Sequence, residues 1–262
     1  MMLLMWNIRG FARKNRRLLS LLATALAAAL ILWTVNNPAI VGASAVERQL
    51  PIYCVQRDDK KIAISFDAAW GNEDTQKLID ILSLYGVRST FFVVGEWAEK
   101  YPDSVRAIHD AGHEVMSHSA HHNHFSMMSA NDIAADLREA NRRISACTGI
   151  EPTLFRCPYG EYDDHVIQTV KSLGMTAIQW SVDSLDWKGI GADEICERVL
   201  KRVEPGSIVL FHNAAQHTPE ALPQILSALQ EDGYTIVPVS ELLLEGSYVI
   251  DHAGKQLPAA VA

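Results

Sequence analysis

The sequence predicts an α/β fold, a sheet of about seven parallel strands separated by helices and preceded by an apolar N-terminal segment. Three observations carry this reading. From Lys61 onward, short apolar runs alternate with longer amphipathic ones. The short runs are rich in β-branched and aromatic residues, as strands buried on both faces are. No charge interrupts the chain from Leu18 to Val35.

The expected strands are KIAISF (61–66), STFFVV (89–94), HEVMSH (113–118), TLFRCP (153–158), MTAIQWSV (175–182), SIVLFH (207–212) and TIVPVS (235–240). Strand and helix in strict alternation require parallel pairing through right-handed crossovers. An open doubly wound sheet and a closed barrel both satisfy that rule. Helices are expected at about 73–85, 97–111, 129–148, 163–173, 193–204 and 217–231. Ser129, three residues before Asp132, is a capping pattern. Gly86, Gly112, Gly149, Gly174 and Gly233 stand where helices should stop.

Leu18–Val35 would extend about 27 Å as a helix, close to the hydrocarbon thickness of a bilayer. Arg9, Arg13, Lys14, Arg16 and Arg17 precede or open it with no acid nearby, and a basic flank stays cytoplasmic. The chain is thus expected to hold a basic cytoplasmic tail (1–17), a transmembrane helix or uncleaved signal (18–35), a linker (36–60), the main domain (61–245) and a C-terminal tail (246–262). It would be a single-pass cell-membrane protein with its catalytic domain extracytoplasmic. A cleaved signal peptide is the rival reading, since Ala43-Ser44-Ala45 fits a cleavage site.

Beyond residue 35 the chain holds 18 basic and 31 acidic residues, an excess that excludes a nucleic-acid partner. No glycine-rich phosphate loop is present, so no nucleotide is expected either. Cys54, Cys147, Cys157 and Cys196 show no C-x-x-C spacing, which removes a structural zinc site and leaves disulfides and free thiols both open.

The residues able to do chemistry fall at strand ends. Asp67 follows the first strand, His118 ends the third, Arg156 lies near the end of the fourth, Asp183 and Asp186 follow the fifth, and His212 ends the sixth. In α/β barrels the carboxyl ends of strands converge at one catalytic mouth. His118 and His122, four apart, lie on one side of a helical turn, and imidazole is a usual ligand for zinc and its neighbours. Asp67 suits a base that takes a proton from water, and Arg156 suits a partner that holds the base charged.

Five of these segments in order, S-F-D-A-A-W-G (65–71), H-S-A-H-H (118–122), R-C-P-Y-G (156–160), D-S-L-D-W (183–187) and L-F-H (210–212), resemble the motifs of the polysaccharide deacetylases. These form carbohydrate esterase family 4, which carries the NodB-homology domain. The resemblance covers about residues 60–245 and implies a distorted (β/α) barrel. It also implies a metal-dependent hydrolase that removes N-acetyl groups from a cell-wall glycan such as peptidoglycan. The partner would be that N-acetylated glycan, and the cofactor one divalent ion, zinc first, with cobalt, nickel or manganese as alternatives.

By motif, Asp67 would be the general base, Arg156 its holder, and His118 and His122 metal ligands. The Tyr159 backbone N–H would face the oxyanion. Asp186 would orient His212, the general acid, and Trp187 and Leu210 would wall the acetyl pocket. The chain departs from the family at Ala68, which stands where a second aspartate ligates the metal. Water, Glu73, Asp74 or Cys157 would have to fill that place. The D-A-A-W-G form is similar to the PdaB-type subgroup of sporulation-associated deacetylases. An O-acetyl polysaccharide esterase and a catalytically weakened glycan-binding or spore-assembly protein are the alternative functions.

Overall fold

A computed structural model describes residues 15–36 and 48–259. The chain divides into two compact units, Met1–Arg48 and Gln49–Ala262. In the first, the described structure is helix α1, Arg16–Asn36, which begins at the basic pair and carries the uncharged run as expected. Among the described residues, no helix is long and apolar enough to cross a membrane. The expected transmembrane span is to that extent not met. Most of the basic tail, the Ala43-Ser44-Ala45 segment and the first half of the linker lie outside the described residues.

The second unit is built on β1 (Cys54–Val55), β2 (Lys61–Ala68), β3 (Thr90–Val93), β4 (Glu114–Ser117), β5 (Leu154–Phe155), β6 (Thr176–Ala177), β7 (Val182–Asp183), β8 (Ile208–His212), β9 (Thr235–Ile236), β10 (Tyr248–Ile250) and β11 (Lys255–Pro258). The main sheet is parallel throughout, in the order β6-β5-β4-β3-β2-β8-β7, with β9 added to β2. It curls into an incomplete barrel of seven strands. The run 175–182, expected as one strand, is split into β6 and β7 around Gln179-Trp180-Ser181, whose Ser181 N–H turns to Ile208. Residues 51–56 fill the gap this leaves. Ile52 exchanges hydrogen bonds with Ala177 and Gln179, and the Val55 N–H donates to Gly206. Gly206 has φ +83°, and a Cβ there would lie 1.8 Å from the Val55 carbonyl oxygen, so only glycine permits this approach.

The helices are α2 (Thr75–Leu84), α3 (Gly95–Lys100), α4 (Pro102–Asp110), α5 (Ala130–Thr148), α6 (Asp164–Ser172), α7 (Ala192–Leu200), α8 (Thr218–Glu231) and α9 (Val239–Leu242). The single helix expected at 97–111 is two, because Pro102 forces Tyr101 out of the helical region, to φ −127° and ψ 56°. The Ser129 hydroxyl caps α5 by accepting from the Asp132 N–H, and Gly149 ends that helix in the left-handed conformation. The expected C-terminal tail contains β10 and β11, which join β1 in a small three-stranded sheet.

Strand periodicity sorts the core into layers. On β2, Ile62, Ile64, Phe66 and Ala68 face the helices and pack with Leu78, Ile79, Leu82, Phe91 and Phe211. The alternate residues face the barrel interior. There Ala63, Phe92, Met116, Leu154, Ile178 and Ile208 form one apolar layer, closed below by Ile52, Val55 and Leu242. Two residues further along their strands, on the same inner face, stand the polar groups of the mouth: Met116 is followed by His118, Leu154 by Arg156, and Ala63 and Ser65 by Asp67. An apolar floor and a chemical mouth thus arise from one period-two pattern.

Candidate active site

Asp67 is 5% exposed, and its carboxylate is held from two sides. The Arg156 guanidinium, itself fully buried, donates from Nη1 to Oδ1 at 2.8 Å, and His118 Nε2 lies 3.5 Å from Oδ2. Burial alone would raise the Asp67 pKa. The charge of Arg156, helped by His118 and His212, outweighs it and brings the carboxyl below its usual range. Arg156 is fixed in turn by the Gln179 carbonyl and by the Phe92 ring, 4.1 Å from the guanidinium carbon.

His212 lies in register with Asp67 on the neighbouring parallel strand β8, so both side chains enter the same mouth. Its Nδ1–H donates to Asp186 Oδ1 at 2.8 Å, which leaves Nε2 for the cleft. Burial would lower the imidazole pKa. The hydrogen bond and charge of Asp186, with Asp67 behind them, reverse this and raise it. Asp186 is fully committed to the task. Its oxygens also accept from the His212 and Trp187 backbone N–H groups at 2.8 Å and from the Thr218 hydroxyl at 2.6 Å.

His118 and His122 are brought together, with ring centroids 4.9 Å apart. The Nδ1–H of His118 donates to the Arg156 carbonyl at 2.8 Å, so its Nε2 lone pair points at the Asp67 carboxylate. Two electron-rich atoms facing each other at 3.5 Å in a buried place suit a cation between or beside them. His122 Nδ1 is also buried and without a hydrogen-bond partner. Burial, first, lowers the pKa of both rings, that of His122 to about 4, and keeps them neutral as metal ligands must be. These two imidazoles are the donors that fit a metal.

A third donor does not join them. Among the described residues, no group of three His, Cys, Asp or Glu side chains is arranged to hold a metal ion. Ala68 is fully buried in the layer facing the helices. Asp74 accepts from the Ala214 N–H with both oxygens, and Cys157 packs among Phe125, Phe155 and Val166, its thiol pushed up by burial to about 12. His121 and His124 turn outward to Glu96 and Glu161. All four cysteines are free.

The cleft has a volume of about 470 Å³ and is lined by Asp67, His118, His122 and His212 together with Tyr159, Trp187 and Leu210. Every sequence-predicted site residue except Arg156 and Asp186 faces it, and those two lie behind Asp67 and His212. Among the described residues, the non-glycine positions with positive φ are Ser119, His122, Tyr159, Leu185 and Ala214. All five lie in loops that leave the carboxyl ends of strands, so backbone strain gathers at the mouth.

Two residues went unread in the sequence. Asn213, 4% exposed, donates its backbone N–H to the Asp67 carbonyl, and its side chain accepts from Ala69 N–H and donates to the Gly71 carbonyl. Thr218 is the fourth hydrogen-bond donor to Asp186. Each lies within six residues of His212, and that proximity was the available signal.

The polysaccharide deacetylase family model matches residues 55–178. The Bacillus subtilis peptidoglycan-N-acetylmuramic acid deacetylase PdaA is 30% identical over 77% of this chain and 78% of its own length. The Sinorhizobium fredii chitooligosaccharide deacetylase is 33% identical over 67% of this chain and 88% of its own. The chain belongs to the polysaccharide deacetylase family. This makes it a deacetylase, a hydrolase acting on amides. Among solved structures it is similar to BA3943, described as a family pseudoenzyme from Bacillus anthracis. That structure is 34% identical, has a TM-score of 0.71, and is matched over 73% of this chain and 68% of its own. A BA3943 mutant described as having restored enzymatic activity is 35% identical at the same TM-score.

Proposed function

We propose that the protein removes N-acetyl groups from a cell-wall glycan of the peptidoglycan type. The observation that carries this reading is the pairing of Asp67 with His212. They are registered neighbours on β2 and β8, and their environments push them apart, the carboxylate toward the charged form and the imidazole toward the protonated one. Amide hydrolysis needs that combination. Asp67 takes a proton from the attacking water while Arg156 keeps it ionised. The Tyr159 backbone N–H donates to the oxyanion. His212, protonated and steadied by Asp186, gives its proton to the leaving amine, which would otherwise be a poor leaving group. Trp187 and Leu210 close around the acetyl methyl.

A divalent ion held by His118 and His122 would polarise the amide carbonyl and lower the pKa of water. With two protein donors and Ala68 in place of a third, its affinity should be modest. Release of acetate from N-acetylated peptidoglycan fragments tests the reading. Turnover should disappear with a chelator and return with zinc. A folded, zinc-supplied protein that releases no acetate would overturn it. The Ala68 position and the lack of a third donor favour a second reading, a glycan-binding protein with a weakened site, and the same assay separates the two. A role in sporulation rests on the D-A-A-W-G form alone.

The site's substrate would lie outside the cytoplasm, and the basic flank with the uncharged run Leu18–Val35 supports export of the body behind a membrane anchor. Leu21, Leu22, Leu26, Leu30, Ile31 and Trp33 project from α1 without burial. Fractionation should find the chain in the membrane, and a soluble product beginning near Val46 would sink the anchor.

A further inference from the structure

Trp70 is 66% exposed, an unusual state for the largest apolar side chain, yet the residues on either side of it are held by hydrogen bonds from within. The buried Asn213 side chain accepts from the N–H of Ala69 and donates to the carbonyl of Gly71, so it clamps the residues on either side. The indole of Trp97, 2% exposed, donates to the same Gly71 carbonyl at 2.9 Å. Three part-buried hydrogen bonds therefore hold the residues on either side of a large side chain that is left in the open. The ring stands on the cleft wall, edge-on to His122 at 5.7 Å between centroids. Tyr159 and Trp187, 54% and 58% exposed, line the same cleft.

We infer that Trp70 is a sugar-stacking residue that binds the pyranose next to the one being deacetylated, and so sets a preference for polymer over monosaccharide. This rests on the functional reading above and extends it along the chain of the substrate. A pyranose has one face of C–H groups and a rim of hydroxyls. An exposed indole on a held stretch of backbone can cover that face, with only two side-chain torsions to fix on binding. The acetyl pocket between Leu210 and Trp187 receives one acetamide. Trp70, whose ring meets the other imidazole-lined wall at His122, is placed to meet a ring beyond it rather than the acetamide itself. The occupant is a neutral sugar rather than a protein or a lipid. The ring is continuous with the enzymatic cleft, and the clamp behind it serves position rather than folding of a separate face.

The test is equilibrium binding, which needs no turnover. Full-length wild-type protein, Trp70→Ala and Trp70→Phe are titrated with a soluble pentamer of β-1,4-linked N-acetylglucosamine by calorimetry, and with the monosaccharide by NMR. Trp70→Ala should weaken pentamer binding about tenfold and monosaccharide binding far less, and Trp70→Phe should restore most of the loss. Unchanged pentamer affinity in Trp70→Ala overturns the inference. So does an equal loss for both ligands, which would mean that the ring merely buttresses His122. Failure of the wild-type protein to bind the pentamer would overturn the functional reading together with this one. Binding without acetate release would overturn catalysis and leave the role of Trp70 standing.

Discussion

At the scale of single residues, the site holds one buried pair, Arg156 with Asp67, and one half-buried pair, Asp186 with His212, and each can be broken on its own. Arg156 is wholly inside, and its charge is balanced by Asp67. Arg156→Met should cost about 3–5 kcal/mol in urea unfolding, because it strands a carboxylate in the interior. The sign of its pH dependence should also change. In the wild type the Asp67 pKa is depressed, so its contribution to stability is present above the unfolded value and is lost as pH falls through the folded one. Without Arg156, burial dominates and the carboxyl pKa rises, so the variant should be relatively less unstable in acid. Asp186→Asn acts on the other pair. The His212 pKa is raised chiefly by Asp186 against the pull of burial, and the protonated form would be the acid of the proposed reaction. Removing the charge should lower that pKa and shift the alkaline limb of the pH profile of kcat downward. An unmoved limb would show that His212 is not the acid. These pairs were legible in the sequence because strand ends converge in barrels. Asn213 and Thr218 were not, because a buried amide or hydroxyl carries no pattern until its partners are known.

At the scale of elements, the strand period decides which face a residue occupies. Asp67 and Ala68 are adjacent in sequence and opposite in space. The sequence shows Ala68 as a missing ligand, and the structure adds that its methyl group is packed against the helix layer. Ala68→Asp should therefore lower the melting temperature in chelator, because a carboxylate replaces a fully buried methyl. Zinc should raise it again by more than it raises the wild type if the carboxylate swings from the helix layer to the side of His118 and His122. Equal zinc shifts in the two proteins would mean that the side chain stays turned to the helices. The strands of the main sheet were readable from composition, except that the run 235–240 is strand only at Thr235–Ile236 and turns helical from Val239. The split of 175–182 was not, since an apolar run continuous in sequence does not reveal which partner each half will pair with. The break at Pro102 is visible as a proline within the run 97–111, whose helical period continues on either side.

At the scale of the whole molecule, closure depends on segments far apart in sequence. The barrel gap is filled by residues 51–56, and β1 within them is paired by β11. Gln256, fully buried, accepts the Gln56 N–H with its backbone carbonyl, and its side-chain oxygen accepts the Leu244 N–H at 2.9 Å. Ending the chain at Glu245 should therefore lower the melting temperature by about 5 °C or more, since β1 loses its only neighbour in the small sheet. A tail without structure would have left it unchanged. That the tail should carry strands was not readable, because β10 and β11 are short and pair only where β1 already waits. The registry of Asp67 and His212 has a further meaning at this scale. Neighbouring strands are held at about 4.8 Å by their ladder of hydrogen bonds. The proposed proton donor and proton acceptor are thus spaced at their backbones by a ruler that belongs to the sheet and not to the loops. Loops around the mouth can change wherever they carry none of the reacting groups, to suit different polymers, while the spacing of the Asp67–His212 pair stays calibrated by the sheet.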